Sequence, residues 1–279
     1  MKARVRVGAL DASVDLSSAI SLARELDFET TQPQHFGAPP ATSQPYSSAG
    51  FSGSVDSGAS CNCNIITLIP HCNGTHTECV GHLTREPVDA LRIVPTGLLP
   101  ALLITVQPGN ADRFLESTEP LSQAGDRIVT REAIEGAWPM RTPFEPEALI
   151  IRTCGKGLDG DPLPGTSESP AYLTREAAQL LVERGIEHLV IDLPSIDRDH
   201  DAGRLTAHRV FFGLPPRATN HGAASRPAAT ITELARIPDT LQDGPCLLEL
   251  QVPAWRGDAL PSRPLVYALA ATHDTHCDE

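Results

Sequence analysis

Residues 71–82 read His-Cys-Asn-Gly-Thr-His-Thr-Glu-Cys-Val-Gly-His. Three histidines, one glutamate and two cysteines within twelve residues form a density of lone-pair donors that neither a packed core nor a solvated surface requires. In extended backbone, side chains two apart share a face, which sets His76 beside Glu78. Cys72 precedes His76 by four residues, and His82 follows Glu78 by four. Gly74 permits a tight turn or a close backbone approach. Imidazole, carboxylate and thiolate together are the ligand types of zinc or a similar divalent ion. The competing reading is a polar loop whose histidines bond only to backbone. It accounts for single residues such as His71 or Cys79, but not for the group.

The flanking chain supplies elements that could hold such a group. Residues 65–69, with Pro70, read as a buried strand running into the cluster. Residues 101–106 form a second apolar run between prolines. Ala148–Thr153 is a third, and residues 189–191 a fourth that stops at Asp192. Between the last two lies the clearest helix, residues 173–184. Thr174 is its N-cap, Ala177, Leu180 and Leu181 its apolar stripe, and Gly185 its stop. Thr130 is a second candidate cap. Strand, helix and strand in that order predict a βαβ crossover and a partly parallel sheet. Residues 17–26 read as a short helix after the alternation at 5–7, and residues 246–252 and 265–270 as late strands.

Residues 31–60 are rich in Pro, Gly, Ser, Gln and Thr and read as a long flexible loop, either disordered or covering a substrate. Residues 217–229 read as another loop, and 272–279 as a polar tail. No boundary divides the 279 residues, so one domain is expected over 1–279.

A net charge of −13 disfavours nucleic acid and anionic membranes as partners, because both are bound by clustered Lys and Arg. No apolar run reaches the roughly 18 residues of a membrane span. No apolar h-region follows the charged N-terminus, so a cytoplasmic protein is expected. Seven cysteines, an odd number without the spacing of a disulfide framework, agree with that. Cys61 and Cys63 read as two small, semi-buried residues in preference to a metal or redox pair.

The segment Gly74-Thr75-His76-x-Glu78-x-x-x-His82 resembles the signature of the putative cyclase family, which includes bacterial kynurenine formamidases and isatin hydrolases. That signature reads His-x-Gly-Thr-His-x-Asp-x-Pro-x-His. Gly74, Thr75, His76 and His82 match it. Glu78 stands in place of Asp, Cys72 in place of the first His, and Val80 in place of Pro. Later segments resemble the family in the same order: Ile191-Asp-Leu-Pro-Ser-Ile-Asp197, Ala207-His208-Arg209 and Ile231-Thr232-Glu233.

The resemblance implies an α/β fold of the swivelling β/β/α type, dimeric or tetrameric. It implies a divalent metal, zinc first and manganese second. The inner ligand set would be Cys72, His76 and Glu78, and the outer set His82, His208 and Glu233. His71, after a one-residue shift, is the alternative to Cys72. His82 would carry a proton, and Glu233 would orient water or bind the metal. The implied chemistry is metal-assisted hydrolysis of an amide, formamide or cyclic amide. A lyase or dehydratase on the same scaffold and a binding protein without turnover are the rivals. Asp192 and Asp197 are either turn caps or supports for a ligating histidine. Aromatic residues make up only 4% of the chain, which disfavours a large aromatic substrate.

Overall fold

The computed structural model describes residues 1–32, 34–153 and 170–271. The expected polar tail at 272–279 lies outside them. An 11-stranded sheet organises the fold. Its path runs Lys2–Val7, Leu10–Asp15, Arg263–Ala271, Gly244–Gln251, Leu99–Val106, Ala148–Thr153, His188–Ile191, Thr230–Glu233, His76–Cys79 and Ala259–Pro261, with Ile20–Ser21 pairing beside Arg263–Ala271. The four strands from Leu99–Val106 to Thr230–Glu233 are mutually parallel. Every other pairing in this sheet is antiparallel. This is the mixed, partly parallel α/β sheet that the sequence predicts.

The parallel centre is apolar because both of its faces are covered. Along Ala148–Thr153, Leu149 and Ile151 face one core together with Ala177, Leu181, Phe211 and Phe212 from the helices. Ala148 and Ile150 face the opposite core, with Leu22, Leu103, Val190 and Leu248. The crossover helix spans Arg175–Glu183. Thr174 Oγ1 accepts from Ala177 N at 3.0 Å, and Gly185 leaves the helix at φ 73°. Thr130 likewise caps Arg131–Ala137.

Four expectations are corrected. Residues 17–26 contain no helix. Asp15 Oδ1 accepts from Ser17 N at 3.0 Å and Ser17 Oγ at 2.6 Å, which turns the chain, and Ile20–Ser21 then pairs at the sheet. Serine competes with helix by such local bonds. Residues 65–69 are not a buried strand. Asn64–Thr67 pairs with Thr42–Pro45 in a separate two-stranded ribbon, with Ile65 and Ile66 52% and 56% exposed. Residues 31–60 therefore carry ordered pairing, including Ser47–Ser48 with Phe51–Ser52. Cys61 and Cys63 lie on this exposed stretch, not half-buried.

Candidate metal centre

The chemistry-bearing segment is built from three short elements. Pro70 starts a single helical turn, Pro70–Asn73, which carries His71. After Gly74 the chain becomes the strand His76–Cys79, all four residues buried. A 3-10 turn, Val80–Leu83, then presents His82. Gly81 is needed inside that turn, since a Cβ there would stand 2.6 Å from the Val88 carbonyl.

The His76–Cys79 strand lies between Thr230–Glu233 and Ala259–Pro261. Register places Glu233 directly opposite His76, and Asp258 falls just before the residue opposite Glu78. His76 and Glu78 point to one face, as their spacing requires. Thr77 points to the other, where its hydroxyl meets that of Thr232 at 2.7 Å.

His208 arrives from the helix Thr206–Phe212. Asp197 anchors the first turn of this helix. Its carboxylate accepts from Ala207 N at 2.8 Å and from His208 N at 3.0 Å. It also accepts from His208 Nδ1 at 2.7 Å. Asp197 therefore takes the supporting role of its two readings, orienting the imidazole, and what it caps is the first turn of this helix, not the Pro-Ser turn before it. Asp192 instead accepts from Thr153 N and Oγ1 at the end of a neighbouring strand.

These elements bring His71, His76, Glu78, His82, His208, Glu233 and Asp258 to one place. Glu78 is central. Its Oε2 is 3.0 Å from His71 Nδ1 and 4.0 Å from His76 Nε2, while Oε1 is 2.9 Å from His208 Nε2. Glu233 lies 3.6 Å from His76 Nε2 and 3.4 Å from His208 Nε2. Ile196 N holds it at 2.8 Å. At the outer edge, Asp258 Oδ2 is 3.0 Å from His71 Nε2 and 3.6 Å from His82 Nδ1. Among the described residues, ligand atoms close enough to share a cation fall into three groups: His71, His76 and Glu78; Glu78, His82 and His208; and His71, His82 and Asp258.

The donor atoms fit a cation. His76 Nδ1 is 3.0 Å from the Gly74 carbonyl, which only accepts, so the proton is on Nδ1 and the Nε2 lone pair faces inward. Asp197 fixes His208 in the same sense. His76 Nε2, His208 Nε2 and both oxygens of Glu78 are buried without a hydrogen-bond partner, despite their close approaches. Convergent buried acceptors of this kind repel one another unless a positive charge lies among them. A carboxylate or carbonyl behind each histidine is the usual outer support of a metal-ligating imidazole.

The charges respond accordingly. Burial opposes ionisation of Glu78, but the His82 and His208 charges hold its carboxyl well below the usual range. Burial likewise opposes charge on His208, but Glu78 and the bonded Asp197 drive it well above an ordinary imidazole. His71 is pushed up to about 10 against its burial, through Asp258 and Glu78. Protons are thus favoured on the His71 and His208 imidazoles, which face the carboxylates.

Of the six expected ligands, His76, Glu78, His82 and His208 fall within these groups, and Glu233 lies outside them but beside His76 and His208. Cys72 belongs to none of the three groups, and His71 takes the inner place. On a helical turn, one residue rotates the side chain by about 100°, so only one of the two neighbours can face Glu78. The division into inner and outer sets also changes, because Glu78 belongs to both. Asp258, 187 residues from His71, was missed. Its sequence surroundings read only as a polar turn, and nothing local marks it.

A family model for putative cyclases matches residues 14–198. The match covers more than half of the chain, and the chain belongs to that family. His208, Glu233 and Asp258 lie beyond the match, so their part rests on the geometry here. A search of curated protein sequences finds no match.

Among solved structures, the fold is similar to that of a predicted metal-dependent hydrolase from Bacillus stearothermophilus. The identity is 14%, with 90% of this chain and 98% of that one covered and a TM-score of 0.55. Isatin hydrolase A from Labrenzia aggregata, bound to benzyl benzoate, is 18% identical, with 91% and 96% covered and a TM-score of 0.56. An isatin hydrolase bound to the product analogue thioisatinate is 15% identical, with 90% and 92% covered and a TM-score of 0.56. At these identities the likeness establishes the fold.

Proposed function

We propose that this protein is a metal-dependent hydrolase that cleaves a C–N bond of a small amide, formamide or cyclic amide. The observation that carries the reading is the set of buried, partnerless ligand atoms on His76, Glu78 and His208, beside the partly open His82. The names of the structural neighbours, a metal-dependent hydrolase and isatin hydrolases, agree with it.

His71, His76, Glu78, His208 and Glu233 would hold the ion. Histidine and carboxylate suit zinc, with manganese second. A bound divalent ion polarises a carbonyl and brings the pKa of water from 15.7 to about 7.

The chain's own residues do the rest. His82 is 27% exposed and its ring is 5.7 Å from that of His208, so it borders both the ligand cluster and solvent. It accepts a proton from water and returns it to the departing nitrogen. Asp258, 3.6 Å from His82 Nδ1, stabilises the protonated imidazole during that exchange. Glu233 adds negative charge beside the inward Nε2 atoms of His76 and His208, and Ile196 N fixes its orientation. Asp197 keeps the His208 Nε2 lone pair aimed inward.

The test is elemental analysis of the untagged protein, followed by turnover of formamides, lactams and imides. His76→Ala and Glu78→Ala should each lower metal content and abolish turnover. Unchanged metal and unchanged turnover in both would sink the reading. Product mass separates hydrolysis from the lyase alternative, since the first adds water and the second removes it. Tight ligand binding without product would favour a binding protein. The family resemblance further proposes a homodimer or homotetramer, which light scattering measures.

A further inference from the structure

We propose a second ligand site, for a small organic anion with an apolar body, on the outer face of the helix that carries His208. A cavity of about 380 Å³ opens there. This is within the range of pockets that hold small molecules.

Four arginines line it, Arg175, Arg204, Arg209 and Arg217, against a single acidic residue, Glu119. The chain has 22 basic residues and 35 acidic ones, so a basic concentration in one concave place runs against its overall charge. Val210, Leu214 and Pro215 supply an apolar wall.

The guanidinium groups divide by role. Arg209 builds the site: its Nε donates to the Arg204 carbonyl at 3.0 Å, and its Nη1 to the Ala218 carbonyl at 2.8 Å. These bonds brace the two loops that bound the cavity. Arg204 approaches Glu119 only at 4.0 Å. Arg175 and Arg217 pair with no acidic side chain among the described residues, which leaves two charged forks for a ligand. Arginine suits planar anionic groups because its fork donates two parallel hydrogen bonds.

The backbone is shaped around the same place. Ala202, Leu205 and Arg217 all hold left-handed conformations, with φ of 57°, 48° and 63°. Non-glycine residues adopt this region at a cost, and such strain collects at functional sites.

Helical spacing separates this site from the metal centre. Thr206, Arg209, Val210 and Gly213 line the cavity at the i, i+3, i+4 and i+7 positions of one face. Ala207, His208, Phe211 and Phe212 form the other, buried face. A much smaller recess shares Glu119, Arg175 and Thr206 with the cavity and reaches Asp197, the carboxylate that holds His208. The anion therefore binds behind the metal centre, against the helix that positions one of its histidines.

The experiment is calorimetric titration of the full chain with benzoate, phenyl phosphate and inorganic phosphate, before and after metal removal by EDTA. Benzoate or phenyl phosphate should saturate below about 1 mM, an ordinary small-ligand affinity. Whichever binds identifies the head group as carboxylate or phosphate. Inorganic phosphate should bind at least tenfold more weakly, for want of the apolar body. Arg175→Gln and Arg217→Gln should each weaken binding at least tenfold with an unchanged circular dichroism spectrum, whereas Arg85→Gln, outside the cavity, should not. Added salt should weaken binding, and EDTA should leave it intact. The proposal is overturned if neither aromatic anion saturates. It is equally overturned if both arginine variants bind as wild type, if inorganic phosphate binds as well as its phenyl ester, or if binding disappears with the metal.

Discussion

Asp197→Asn tests how the fold prepares His208. The wild-type carboxylate accepts three donors: Ala207 N on Oδ1, and His208 N and Nδ1 on Oδ2. Asparagine keeps one acceptor oxygen and adds an NH2 group. If its oxygen occupies the Oδ2 position, Ala207 N faces a donor. If it occupies Oδ1, both His208 groups do. At least one charge-assisted bond is lost in either case, costing about 2 kcal/mol of folding stability. In the second arrangement the imidazole must also accept at Nδ1, which moves its proton to Nε2 and blocks the inward lone pair. Loss of such outer support lowers metal affinity about 10–100-fold. Competition between the protein and a chromophoric chelator for zinc measures the affinity, and urea unfolding measures the stability. A variant that loses about 2 kcal/mol but binds zinc within twofold of wild type would refute the positioning argument, leaving Asp197 as a helix cap alone.

Two further predictions follow from the geometry. Cys72→Ala should leave metal content unchanged, whereas His71→Ala should weaken zinc binding at least tenfold, both read by elemental analysis after dialysis at limiting metal. The reverse order would mean that the thiolate is a ligand. The second concerns pH. Burial, then the nearby Arg226 charge, lowers His188 to about 4. Because the unfolded chain takes up the proton near pH 6.5 and the folded chain only near 4, stability is complete above about 6.5 and is lost as pH falls towards 4. The loss amounts to about 3 kcal/mol. Urea unfolding at pH 7 and pH 4.5 should show that difference in wild type and much less of it in His188→Gln. Equal pH dependence in the two would refute the assignment.

Much of the sheet was legible because its signals are local. Residues 148–151 are apolar throughout, as a strand stretch covered on both faces must be, before the strand ends in Arg152 and Thr153. Thr174 and Gly185 mark the crossover helix by cap and stop chemistry that needs no distant partner. The 65–69 stretch misled because apolar composition reports what a segment can bury, not what lies beside it. Here the neighbour is another ribbon strand, Thr42–Pro45, and the isoleucines remain in contact with water. Ser17 and Ser18 bond locally to Asp15, and sheet pairing then outweighs the helical pattern of the residues that follow.

The sequence by itself determined that His76 and Glu78 share a face, since alternation in a strand is a property of the backbone. It also determined the ligand types around them and, through motif order, the family. Tertiary structure alone decided which neighbour of Pro70 faces the cluster, because helical phase turns His71 towards Glu78 and Cys72 away from the group. It alone placed Glu233 opposite His76 and brought Asp258 to His71, because strand register depends on pairing between segments far apart in the chain. No local pattern encodes that register.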